Sequence, residues 1–192
     1  MQFLTDTAKA SVFGLQHLES DSVVCDPVTG LPDAFEADRY MGLWYEIYHS
    51  ANQPFQPDAW TCTQAEYSDL DSEGNFKVYN SSKSRFGGPR FGLHGDAKCP
   101  ADEAAGECFV TFFKQPFVSE PNYSIIDTDY ENYSIVYSCD ESDMQYLWFL
   151  SRESTLSDEL YNQMLATVQE KLPNYDLTQF IMDNQSDKKC GN

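Results

Sequence analysis

From Gly42 to Ser151 the chain is a run of short apolar and aromatic segments broken at regular intervals by turn residues. The segments fall at 43–50, 60–69, 75–81, 91–98, 107–114, 122–129, 133–139 and 145–151. The breaks carry Gln53-Pro54, Glu73-Gly74-Asn75, Gly87-Gly88-Pro89 and Glu120-Pro121. Strands this short and this evenly spaced predict an all-β sandwich or barrel. One helix follows. Ser157 is a plausible N-cap, Asp158 and Glu159 complement the dipole of the first turn, and Pro173 ends the pattern. Leu160, Met164, Val168 and Leu172 recur on one face, so this helix should pack on the outside of the β structure. Residues 178–182 could add one more short strand.

The first strand opens with Gly42-Leu43-Trp44-Tyr45. A glycine just before a large aromatic suggests a tight strand entry with the indole in a core. Strand alternation from an inward Trp44 turns Glu46 inward as well. A buried carboxylate must find hydrogen-bond partners or titrate at higher pH. Glu46 is therefore either a structural acid or one that touches a ligand or substrate.

The 192 residues suffice for one domain with a sizeable core, and aromatics are abundant at 15%. Such aromatic content fits a dense core or a wide ligand pocket. A net charge of −19 repels nucleic-acid backbones and anionic membrane surfaces. It reads as a solubility device or as a docking face for a basic partner. The six cysteines are widely spread, and none has Cys-x-x-Cys spacing, which predicts three structural disulfides and an oxidising compartment. Sequons at Asn80, Asn122, Asn132 and Asn184 are compatible with secretion and glycosylation. No apolar run reaches transmembrane length. Residues 1–24 lack the basic and apolar regions of a signal peptide, so a targeting segment is expected to be already removed. They read as an extension, a flexible tail or a partner-docking segment, ahead of a domain at 25–192.

Asp69 to Asn75 resembles the start of a calcium loop, but Glu73 and Asn80 stand at the fifth and twelfth positions, so it reads as a hairpin turn. His17, His49 and His94 show no metal-type pairing, and the chain carries no nucleophile elbow, phosphate loop or dinucleotide fingerprint. No motif supports an enzyme, and no metal or required cofactor is implied.

Three words share an order and a spacing: Gly42-Leu43-Trp44-Tyr45-Glu46-Ile47, Asp127-Thr128-Asp129-Tyr130-Glu131-Asn132-Tyr133, and Trp148-Phe149-Leu150-Ser151-Arg152. Together they resemble the conserved blocks of the lipocalin family, over roughly Cys25 to Cys190. The second word, followed by Val136-Tyr137-Ser138-Cys139, is most similar to the apolipoprotein D branch, related to bilin-binding proteins and crustacyanin carotenoproteins. The resemblance implies an eight-stranded antiparallel up-and-down barrel with a C-terminal helix and room for one small ligand. It makes Gly42, Trp44 and Arg152 structural, with Arg152 stacked on the indole at the closed end. It also implies the bridges Cys25–Cys139 and Cys62–Cys190, leaving Cys99 and Cys108 to close a hairpin. That last pair departs from apolipoprotein D and is similar to plastid lipocalins. A secreted location and, as an alternative, the thylakoid lumen both stay open.

Within that frame, alternation turns Tyr146, Trp148 and Leu150 inward, with Thr63, Ala65 and Tyr67 on the second strand. Val110, Phe112, Tyr123, Ile125, Ser134 and Val136 join them, and Phe55 and Phe91 are candidates for the open rim. Glu46 and Tyr48 climb the first strand toward this pocket. Such a lining suits a flat, extended apolar ligand: a carotenoid, bilin, sterol, retinoid or fatty acid. The leading function is transport or storage of such a molecule. The alternatives are an interaction subunit docking through residues 1–24 or the acidic surface, and a lipid- or xanthophyll-modifying enzyme. An isomerase of the thiol type needs a free cysteine, against which the even count argues.

Overall fold

The computed structural model describes residues 25–26, 28, 30–51, 53–57, 59–100 and 106–191. The extension at 1–24, read as a flexible tail or a partner-docking segment, lies outside these residues. A short helix, α1 (Ala37–Tyr40), leads into eight strands: β1 (Gly42–Ser50), β2 (Trp60–Ser68), β3 (Asn75–Ser84), β4 (Phe91–Lys98), β5 (Glu107–Phe112), β6 (Tyr123–Thr128), β7 (Tyr133–Cys139) and β8 (Gln145–Ser151). Each pairs antiparallel with the next, and β1 pairs with both β2 and β8, so the sheet closes into an up-and-down barrel. The helix α2 (Asp158–Lys171) follows, then β9 (Phe180–Met182), which adds to the upper half of β1 outside the barrel, and α3 (Asp187–Cys190).

The strands fall where the turn residues put them, with two physical exceptions. β3 continues to Ser84, because its end pairs with Trp60 and Thr61 of β2. β5 stops at Phe112, because Phe113 and Lys114 adopt φ of 58° and 57°, a left-handed conformation that no strand continues through. The Asp69–Asn75 segment is a hairpin turn whose Asp71 carboxylate accepts from the Glu73 and Asn75 backbone N–H groups, at 2.8 and 2.9 Å. Ser157 caps α2, its hydroxyl accepting from the Leu160 N–H at 3.2 Å. The helix buries Met164 and Val168, together with the following Leu172, against Ile126, Ile135, Leu147 and Phe149 on the outer face of β6–β8.

The closed end is built around Trp44. Gly42 enters β1 at φ +93°, a conformation that strains any residue with a Cβ. Two residues on, the indole is fully buried and donates to the Tyr40 carbonyl at 2.9 Å. The Arg152 guanidinium lies 3.7 Å from the indole ring centre. It donates to the carbonyls of Leu43 and Arg39 at 2.8 Å and of Tyr130 at 3.1 Å. One side chain thus ties the end of β8 to the start of β1 and to the β6–β7 turn. That turn is shaped by Asp129, whose carboxylate accepts from the N–H groups of Glu131, Asn132 and Tyr133 at 2.7–3.1 Å. Burial pushes the Asp129 carboxyl up, but these bonds and that of the Asn132 side chain outweigh it and hold the group below its usual range.

Above the floor, Tyr40 and Tyr67 both reach the Tyr123 hydroxyl, at 3.4 and 2.8 Å, and Tyr40 also meets Ser134 at 2.9 Å. Burial pushes the Tyr40 phenol up to about 12 and raises Tyr67 and Tyr123 as well. Three disulfides complete the frame, Cys25–Cys139, Cys62–Cys190 and Cys99–Cys108, pairing the cysteines as the family resemblance implies. Among the described residues no cysteine is free. The first two close loops of 114 and 128 residues, a constraint on the unfolded chain of about 5 kcal/mol each in the chain-entropy model.

Two outcomes follow from the floor. Trp44→Ala should lower stability by about 3–5 kcal/mol in urea unfolding, since it removes a fully buried indole and the surface on which Arg152 rests. A change below 1 kcal/mol, on the order of a surface substitution, would contradict the role given to it. The tyrosines set an alkaline limit. Unfolded tyrosine titrates near about 10, and the buried phenols titrate higher, so their contribution is intact below that pH. It is lost as pH rises through the folded values. Tyrosinate absorbance should therefore climb together with loss of the β-sheet circular dichroism. Full ionisation near pH 10 with the barrel still folded would overturn this account.

Candidate ligand cavity

The floor fixes the phase of every strand above it. Tyr67, Ile125, Val136 and Leu150 are buried with Trp44 in the inner cluster, and Ala65, Val110, Phe112, Tyr123 and Trp148 pack against it while retaining solvent-accessible surface. An inward side chain in a closed barrel stays accessible only where the interior is unfilled, so these residues line a space open toward the mouth. Asn80 supports this. It pairs with Ala65, on the same face of β3 as Val78 and Ser82, and is nevertheless exposed. Its sequon therefore faces the interior.

At the mouth, Phe55 from the β1–β2 connection sits 5.2 Å from Tyr146 and 6.2 Å from Trp148, ring centre to ring centre. The three rings form a continuous aromatic wall; Phe55 is half-exposed at its top, and the Tyr146 hydroxyl is anchored on Asp140 at 2.9 Å. Phe91 meets Trp60 edge-on at 4.9 Å and forms the rim at β2 and β4. The sequence-predicted set comes together here, with one exception.

Tyr48 does not face the cavity. Its register with β8 slips between Glu46, opposite Leu150, and Tyr48, opposite Phe149. Ile47 is the extra residue of this bulge, and every side chain beyond it changes face. Tyr48 therefore lies on the outside, stacked at 4.6 Å on Tyr161 of α2 and at 5.4 Å on Phe180 of β9. His49, opposite Trp148, takes the inward place. The sequence hints at the bulge only in the unbroken run Trp44-Tyr45-Glu46-Ile47-Tyr48-His49, which no strict alternation of faces divides into inner and outer sets.

The inward end of β1 is polar. Glu46 and His49 are each 6% exposed and share a 2.5 Å contact between the carboxylate and Nδ1. The Gln56 amide lies over them, donating to Glu46 at 2.5 Å, and reaches Thr63 at 3.4 Å. Thr63 continues to Ser82 at 3.1 Å. Burial pushes the Glu46 carboxyl up, His49 and Gln56 oppose that shift, and the nearby Asp183 reinforces it. Among the described residues no cluster of side chains could hold a metal ion.

A family model described as a lipocalin-like domain matches residues 35–185. The Lazarillo protein of Schistocerca americana is 31% identical over 97% of this chain and 86% of its own length. Bovine apolipoprotein D is 31% identical over 79% of each chain. Insecticyanin from Manduca sexta superposes with a TM-score of 0.71 at 27% identity, covering 86% of this chain and 88% of its own. Proteins of this kind generally bind small hydrophobic ligands. With the barrel closed, its floor built from Trp44 and Arg152, and this match over most of its length, the chain belongs to the lipocalin family.

Proposed function

We propose that the protein carries or stores one small hydrophobic molecule inside the barrel. The observation that carries this reading is the wall of Phe55, Tyr146 and Trp148, which leads from the mouth toward Val136, Ile125 and the Tyr123 ring. Apolar burial against these rings supplies the affinity, and a flat or extended molecule such as a carotenoid, bilin, sterol, retinoid or fatty acid matches their arrangement. The protein acts as a binder and not as an enzyme. The even pairing of the cysteines supports this, since it leaves no thiol for an isomerase. The disulfides fit an oxidising compartment, and secretion is the reading we adopt; the plastid-lumen alternative rests on the Cys99 and Cys108 pair and on Cys62-Thr63-Gln64, and the relatives lend it no support.

Titration of tryptophan fluorescence with a panel of these ligands, alongside native mass spectrometry, tests the proposal. At least one ligand class should bind at one molecule per chain. Trp148→Ala should weaken that binding at least tenfold, about 1.4 kcal/mol, while keeping the folded β-sheet circular dichroism of the parent. A barrel that binds nothing from the panel, or a Trp148→Ala variant that binds as well as the parent, contradicts it.

A further inference from the structure

The polar group at the inner end of β1 is adjacent to the aromatic wall. His49 stands opposite Trp148 across the β1–β8 pair, and Glu46 stands opposite Leu150. A ligand lying on Trp148 therefore brings one of its ends or edges to His49, Glu46 and the Gln56 amide above them. Gln56 belongs to the β1–β2 connection and is only half-buried, so it can give way to a ligand without breaking a strand. The same connection holds a second, independent sign of an absent partner. Gln53 is 5% exposed, and among the described residues neither its amide nitrogen nor its amide oxygen has a hydrogen-bond partner. Buried amides are otherwise almost always paired.

The sign of the local field selects the chemistry. Besides Glu46, the buried Asp183 lies beneath the same corner, where Thr61 donates to it at 2.9 Å, the Thr63 N–H at 2.7 Å and Gln185 at 3.1 Å. The described hydrogen-bond partners of the two carboxyl groups are hydroxyls, amides and one histidine; the Arg90 guanidinium, held on the Cys62 carbonyl at 2.7 Å, acts electrostatically on Asp183 and makes no described hydrogen bond to either carboxyl group. An arriving carboxylate adds a third acidic group to a buried site, where charges are weakly screened. An arriving hydroxyl or N–H finds acceptors already in place.

We propose that Glu46, His49, Gln53 and Gln56 form the anchor for the polar end of the ligand, and that this end is a neutral hydrogen-bond donor, a hydroxyl or an N–H, rather than a carboxylate. The inference rests on the carrier reading above. It narrows the ligand from any small apolar molecule to one bearing a donor group within reach of the Trp148 ring.

Matched probes that differ only at the head group test it: retinol against retinoic acid, and oleyl alcohol against oleic acid, titrated by tryptophan quenching at neutral pH. At least one alcohol should bind, and more tightly than its acid by at least about tenfold. Glu46→Gln should narrow that ratio, chiefly by improving the acid, whereas Trp148→Ala should weaken both members and keep the ratio. If Glu46→Gln does not fold, the ratio in the parent protein decides alone. Equal affinities, a preference for the acids, or binding of a pigment with neither alcohol bound overturns the anchor while leaving the carrier reading intact. A protein that binds neither probes nor pigments overturns both.

Discussion

The contact between Arg152 and Trp44 is the constraint from which the rest of the barrel is built. It joins the last barrel strand to the first, at the point where a sheet of eight strands has to close. The guanidinium does more than stack. Its three carbonyl partners come from α1, from β1 and from the β6–β7 turn, so carbonyls 113, 109 and 22 residues away in sequence meet at one group. A cation over an indole, partly withdrawn from water, is worth about 1–2 kcal/mol, and the satisfied carbonyls add to it. Once the indole is fixed, the period of two along every strand decides which side chains face the interior.

That phase is why so much of the molecule is legible in its residues. Turn chemistry sets the strand limits, and Asp129 and Asp71 occupy turns because their carboxylates satisfy neighbouring backbone N–H groups. The inner face of β8 follows from counting back from Arg152, and Tyr146, Trp148 and Leu150 lie where that count puts them. The disulfide pairing was legible only through the family resemblance, since six cysteines alone allow fifteen arrangements.

The count fails where a backbone irregularity resets it. The bulge at Ile47 moves Tyr48 onto α2 and brings His49 inside. A bulge depends on the pairing of two strands, and a single sequence does not display that pairing. The same limit hides the role of Gln53 and Gln56. They belong to a connection with no period, and only the folded chain places one over Glu46 and buries the other without a partner among the described residues. Asn80 is the converse case. Its sequon reads as compatible with glycosylation, but register with Ala65 turns it to the interior.

The resulting cavity has two chemistries on one wall: rings from β8 and the mouth, and a compact acidic, hydrogen-bonding corner at the inner end of β1. Folding would favour replacing a buried acid–histidine pair by apolar residues of similar shape, so its presence beside the aromatic wall is most simply understood through what the wall holds. The most direct test of that account is photoaffinity labelling with a diazirine analogue of a retinoid or fatty alcohol, followed by peptide mapping. The account predicts labels on residues 145–150 and 123–125, competed by the unmodified ligand. Labels confined to α2 and the outer face of β6–β8, or no competable label, would contradict it.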